Sequence, residues 1–295
     1  MSKKLLLIVN PAAGKGKGRT FEKKVCALYE HSGWICDIRN TQGAGDAAEF
    51  AMKDGANADM IGCIGGDGTL SETLGGLTKL PAPPPLCYVP MGSTNDLAIS
   101  VGLPRKPMKA AKCGLEGHAQ PIDVGKLNGT IFSYVACFGA FSRTSYITGR
   151  KMKNRLGHLA YILTGASELN RIRPYHVHIE GDELALEGNF LFGAVCNTRS
   201  LGGALHLPVD ENALHDGRHE LLLVREPKHI YQAVSLLWSL ANGKYDHPLI
   251  VCKSVSRAVF HMPEEMPWSL DGERADLGKT VEFENMPSAY RIMLP

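Results

Sequence analysis

Met60-Ile61-Gly62-Cys63-Ile64-Gly65-Gly66-Asp67-Gly68-Thr69 joins an apolar, strand-like run to the start of a helical pattern, and its reading decides the fold. The glycines let backbone N–H groups approach a polyphosphate. Asp67 places a carboxylate where a cation or reacting phosphate would lie, and Thr69 adds a hydroxyl able to cap the helix or touch phosphate. These residues have the chemistry of a nucleotide site at a strand-to-helix turn. Glycine-rich turns also arise from tight geometry alone, so the flanking segments have to decide.

On both sides, short apolar runs alternate with helical patterns: Leu5–Val9 then Thr20–Glu30, Trp34–Arg39 then Gly45–Ala56, Met60–Ile64 then Leu70–Leu77, and Leu86–Val89 then Asn95–Val101. Such alternation predicts βαβ units and a parallel sheet covered by helices, with ligands beyond the carboxyl ends of its strands. Asn10–Gly14, Asn40-Thr41, Gly65–Thr69 and Pro90–Asp96 all fall at such ends. Near Pro121 the pattern changes. Strand-like segments follow at Ile131–Phe138, His176–Glu180, Asn189–Asn197, Glu220–Val224, Ser256–Met262, Thr280–Glu284 and Tyr290–Leu294, with helical patterns near Gly157–Arg171 and His229–Gly243. The expected fold is an α/β N-terminal domain with a parallel sheet, followed by a C-terminal β-rich, β-sandwich-like domain. The first domain spans 1–125 and regains the chain at about 282–295; the second spans 126–281.

The composition excludes several classes. With 44% hydrophobic and 21% charged residues over 295 positions, a sizeable core is expected and wholesale disorder is not. The net charge of +2, without a basic stripe interleaved with aromatics, argues against a nucleic-acid partner. The 8 cysteines stand singly in apolar segments and read as buried thiols of a reducing compartment. Leu5–Val9 is too short for a secretory core, and no stretch approaches a membrane-spanning length. A cytoplasmic protein touching membrane only peripherally is expected.

Asn10-Pro11-Ala12-Ala13-Gly14-Lys15-Gly16-Lys17-Gly18 has small residues that let amides reach phosphate and lysines to neutralise it, although its spacing is not that of a Walker A loop. Pro90-Met91-Gly92-Ser93-Thr94-Asn95-Asp96 offers Ser93 and Thr94 to phosphate oxygens, with Asn95 or Asp96 to cap a helix or hold metal-bound water. Arg143, Arg150, Lys151, Lys153 and Arg155 form a basic run with no acidic residue, suited to an anionic lipid surface or to plain solvation. His176 and His178 alternate on a strand without a third ligand and receive no function.

Taken together, Asn10–Gly14, Gly65–Thr69 and Pro90–Ala98 resemble, in order, the motifs of the diacylglycerol-kinase catalytic family, which includes bacterial lipid kinases and sphingosine kinases. The visible departure is Ser93 where the family carries threonine, which keeps the hydroxyl. The resemblance continues through Asp123-Val124-Gly125, Asp216-Gly217 and Leu270-Asp271-Gly272-Glu273, so it covers nearly the whole chain.

The resemblance implies an ATP- and Mg²⁺-dependent lipid kinase of phospholipid biosynthesis, acting at the inner membrane surface, with diacylglycerol as acceptor, phosphatidate as product and a homodimer as one assembly. It places ATP against Asn10, Pro11, Ala12, Ala13, Gly14, Thr41, Gly66, Asp67, Gly68, Thr69, Glu72, Ser93, Thr94 and Asn95. Asp67 becomes the central carboxylate for magnesium and the γ-phosphate, supported by Asp96 and Asp123. A structural magnesium site falls to Asp216 with carbonyls near Ala213 and Arg218. The proton acceptor for the lipid hydroxyl is either Asp271 or Glu273, two carboxylates at one turn; by residues alone, Asp271-Gly272 is also a common hairpin signal. Two other readings share parts of the pattern: a NAD kinase-like enzyme phosphorylating a soluble ribose hydroxyl, and a nucleotide-binding regulator that has lost transfer. The first lacks its downstream Asn-Glu motif here; the second would be expected to lack Asp67 or the Asp271/Glu273 pair.

Overall fold

The structure is a computed structural model describing residues 2–139, 173–182, 184–198, 200–201, 205–206 and 214–295. The basic run Arg143–Arg155, the helical pattern at 157–171 and Ala213 lie outside the described residues. The chain forms two compact units. The first runs up to Val124 and takes in Leu214–Asp216 and Pro287–Pro295; the second runs from Gly125 to Met286 apart from that three-residue segment.

In the first unit, β1 (Lys4–Val9), β2 (Ile35–Asn40), β3 (Met60–Gly65) and β4 (Leu86–Pro90) lie parallel in the order β2-β1-β3-β4. β1, β3 and β4 are apolar runs buried almost throughout, as strands covered on both faces must be. On one face, Leu5, Leu7, Ile64 and Val89 meet Val25 and Tyr29 of α2 (Gly18–His31) and Ala111 of α6 (Pro107–Glu116). On the other lie α3 (Asp46–Asp54) and α4 (Asp67–Leu77), where Thr73 Oγ1 donates to Cys63 Sγ over 3.6 Å. α1 (Ala13–Gly16) is a single turn after β1, and α5 (Asp96–Ser100) follows β4. α6 is a helix beyond those the sequence pattern predicts; Pro107 in its first turn supplies a helix-compatible φ, and Ala110, Ala111 and Cys113 form its buried face.

β5 (His118–Leu127) runs from the first unit into the second. There β7 (Val135–Gly139), β8 (Tyr175–Gly181), β9 (Leu184–Cys196), β12 (His219–Arg225), β13 (Ile250–Val255), β14 (Arg257–His261), β15 (Pro267–Leu270) and β16 (Glu273–Asp276) pair antiparallel, with β6 (Thr130–Phe132) on β5 and a short β10 (Ser200–Leu201) and β11 (Leu205–His206) pair. Side chains of β7, β9 and β12 alternate between two cores. Ala136, Phe138, Val195 and Leu223 face Phe260 and Trp268, whereas Val135, Cys137, Ala194 and Leu222 face α7 (Ile230–Ala241). The sequence pattern does not mark β13, and of the β15–β16 hairpin it marks only the Asp271-Gly272 turn.

The two strand-like runs expected at the end of the chain are one long strand, β17 (Thr280–Leu294). Its first part pairs with β14, and Ile292 lies parallel to Leu86 of β4 within the first unit. Between them Ser288, which follows Pro287, takes a left-handed conformation at φ 50°.

Candidate active site

The turns after β1, β3 and β4 are bound to one another through backbone and short side chains. Asn10 N–H donates to the Ile64 carbonyl (2.9 Å), and its Nδ2 donates to Thr69 Oγ1 (3.1 Å). Asn10 Oδ1 meanwhile accepts the Ala12 N–H at 3.0 Å, shaping Pro11-Ala12-Ala13 into a turn. Met91 N–H donates to the Gly65 carbonyl (2.7 Å), and Thr41 N–H to the Val9 carbonyl (2.9 Å), placing the β2 turn on the same rim. Gly14 sits at φ 61°, and a Cβ there would lie 2.4 Å from Met91 Cε.

Asp67 opens α4, where the helix dipole favours a negative charge. Its Oδ2 accepts the Thr94 hydroxyl (2.9 Å) and the Asn95 N–H (2.8 Å). Asn95 presents that N–H from a left-handed conformation, φ 53°, held by its own side chain: Oδ1 accepts Gly92 N–H (2.8 Å) and Nδ2 donates to the Gly92 carbonyl (3.0 Å). The β3 and β4 turns touch backbone to backbone, since a Cβ on Gly66 would stand 3.0 Å from Gly92 Cα. Asp67 Oδ1 is buried and has no hydrogen-bond partner among the described residues. One carboxylate oxygen is thus clamped and the other unspent, a donor set that fits Mg²⁺, which takes one or two carboxylates and completes its shell with phosphate oxygens and water.

The remaining expected residues divide. Thr94 and Asn95 join Asp67; Ser93 is exposed on the same turn. Glu72 is drawn to the start of α3, where its Oε2 accepts the Ala47 N–H at 3.3 Å and ties the two helices together. Asp96 and Asp123 are buried, and among the described residues no three His, Cys, Asp or Glu side chains gather as a metal cage. Asp96 opens α5, and Asp123 Oδ1 accepts the N–H of Ser288 (2.7 Å), the left-handed residue of β17. Asp216 is exposed before β12, and the Arg218 guanidinium donates to Ser254 Oγ (3.1 Å) and the Ser254 carbonyl (2.7 Å).

In the second unit, Asp271 and Gly272 form the two-residue turn between β15 and β16, at φ 49° and 93°, which is the conformation an Asp-Gly hairpin requires. The Asp271 carboxylate is buried and accepts three backbone N–H groups: Ser133 on Oδ2 (2.6 Å), and Tyr134 (3.0 Å) and Val135 (3.1 Å) on Oδ1. It holds the break between β6 and β7, where the sequence had read one strand. Glu273, two residues on, is exposed. Asp271 also acts on its surroundings: burial first, and then its negative charge, push the Cys137 thiol up to about 12. Burial likewise raises Cys63 to about 12 and Cys87 to about 11, keeping these thiols protonated and unreactive. The Ser133–Val135 amides that receive Asp271 carry no local sequence signal.

The diacylglycerol kinase catalytic domain profile matches residues 4–127. A diacylglycerol kinase of Bacillus subtilis (strain 168) is 32% identical over 99% of this chain and 97% of its own. One from Staphylococcus carnosus (strain TM300) is 30% identical over 92% of this chain and 89% of its own. A crystal structure from Bacillus anthracis str. Sterne, provisionally named a diacylglycerol kinase, superposes with TM-score 0.82 at 25% identity, covering 100% of this chain and 97% of that one. The chain belongs to the diacylglycerol kinase family and is a lipid kinase that draws on ATP.

Proposed function

We propose that this chain transfers the γ-phosphate of ATP to the free hydroxyl of diacylglycerol, giving phosphatidate and ADP. The observation that carries the reading is Asp67: one oxygen held by Thr94 and Asn95, the other buried and unspent, at the head of α4. The first unit is the nucleotide-binding domain. Asn10–Gly14, Thr41, Gly66–Thr69 and Ser93–Asn95 surround the phosphates, with α4 directing its positive end at them. Mg²⁺ held through Asp67 would neutralise phosphate charge. Glu72 and Asp123 support this site by fixing α3 and β17.

The second unit carries the acceptor's carboxylates. A new bond forms between the lipid oxygen and the γ-phosphorus as the bond to the ADP oxygen breaks, and the hydroxyl proton leaves to a carboxylate. Asp271 has its oxygens committed to the Ser133–Val135 amides, so Glu273 takes that proton and Asp271 holds the turn that presents it. We place the protein in the cytoplasm, visiting the inner membrane surface for its substrate. No helix among the described residues is long and apolar enough to cross a membrane. The test is transfer of labelled γ-phosphate from ATP with Mg²⁺ into diacylglycerol, other long-chain lipid alcohols and NAD, with wild type and Asp67→Ala in parallel. Labelled phosphatidate that disappears in the variant supports the reading; label on NAD alone overturns it.

A further inference from the structure

We propose that the outer face of α7 is a membrane-docking surface that seats the second unit on anionic lipid, an inference that rests on the lipid-kinase reading above. Among the described residues, six large apolar side chains are exposed, and half of them, Ile230, Tyr231 and Trp238, lie on this one helix. Ile230–Ala241 contains no charged residue. At about 100° per residue, Ile230, Ala241, Val234, Trp238 and Tyr231 fall in succession around an arc of roughly 100°. The opposite arc, through Ala233 and Leu236, is buried against the β7-β9-β12 face; within the stripe only Val234 also packs on that core, so the exposed Ile230, Tyr231 and Trp238 are additional to what folding uses.

The chemistry of the stripe selects its occupant. Tyr231 at 65% and Trp238 at 49% exposure are the side chains that favour the boundary between acyl chains and headgroups. A lysine stands at each end: exposed Lys228 before the helix, followed by His229, whose ring stacks 5.4 Å from Tyr231, and Lys244 after it, its Nζ 5.3 Å from the Trp238 ring. Exposed Asp246 and half-buried Glu226 also lie near, but neither is on the helix. An apolar stripe between basic ends complements headgroup phosphates above acyl chains. A second copy of the chain fits less well. A helix of this length offers a stripe of only about 200 Å², against the roughly 800 Å² per partner of a stable protein interface. The start of α7 is fixed for the purpose, because Gln232 Oε1 accepts the N–H groups of Lys228 (2.8 Å) and His229 (3.2 Å).

The test uses the full chain and vesicles of phosphatidylglycerol and phosphatidylcholine, with and without phosphatidylglycerol. Binding is read by cosedimentation and by the blue shift of Trp238 emission, assigned by its loss in Trp238→Phe. Tyr231→Ser/Trp238→Ser is expected to weaken vesicle binding at least tenfold. Lys228→Glu/Lys244→Glu, which keeps the apolar stripe, is expected to lose tenfold or more on anionic vesicles only, at about fivefold per charge. Both variants should phosphorylate a soluble short-chain diacylglycerol as wild type does. Absence of that activity in wild type defeats the lipid-kinase reading, whereas the vesicle measurement judges the docking face separately. Unchanged vesicle binding in both variants, or a wild-type dimer that the serine variant splits in sedimentation velocity, would overturn the proposal.

Discussion

Asp67 and Asp271 are both carboxylates in Asp-Gly pairs, yet their surroundings give them opposite work. Asp67 keeps one oxygen unspent, and Asp271 accepts three backbone N–H groups. Asp67→Asn should leave the fold intact and lower kcat by about 10²–10³, the scale of losing one preorganised electrostatic contact to the transferring group; steady-state kinetics with a melting curve check both halves. Asp271→Ala should cost roughly 3 kcal/mol of stability, because it strands buried amides that a charged acceptor now satisfies. Calorimetry would show a drop of several degrees. Glu273→Gln should melt like wild type while kcat falls at least a hundredfold. If Asp271→Ala melted normally and Glu273→Gln kept full activity, the division of roles between them would be wrong.

At the scale of elements, β12 carries a charge-sensitive core position. His219 is fully buried near Phe132 and Phe283, and burial lowers its pKa from 6.5 to about 4. In the folded chain it stays neutral as pH falls, while the unfolded chain takes up a proton near pH 6.5. Its contribution is therefore present above about 6.5 and lost progressively towards 4, at most about 3 kcal/mol in all. Urea titrations at pH 7.5, 6 and 5 should show falling stability, and His219→Gln should flatten that slope. The elements also show what local sequence carries. β1, β3, β4 and the turns after them were readable because apolar runs and Gly-rich turns are local features. The split of Ile131–Phe138 into β6 and β7 was not, since the carboxylate responsible arrives from Asp271. Nor was the unity of β17, because Pro287 breaks the pattern while Asp123 mends the backbone. In the candidate site, Asp67, Thr94 and Asn95 stand out by type; that Asp123 also holds the backbone of β17 depends on packing no spacing reveals.

At the scale of the whole molecule, the first unit is discontinuous. Its parallel sheet takes its outer strand from the residues around Ile292, and Tyr290 and Ile292 are buried there. Deleting 287–295 should therefore unfold the first unit while leaving the second, a prediction for hydrogen exchange read peptide by peptide. Protection lost equally from both units would show that they do not fold as separate bodies. The same feature has a consequence in time. A ribosome at about 5–20 residues per second finishes the strands up to β4 long before it reaches residues 287–295, a delay on the order of ten to forty seconds. Throughout that interval the growing chain holds a nucleotide-type sheet with one edge open. The order of synthesis thus leaves the phosphate-binding unit waiting on its own last strand, made after the whole of the second unit.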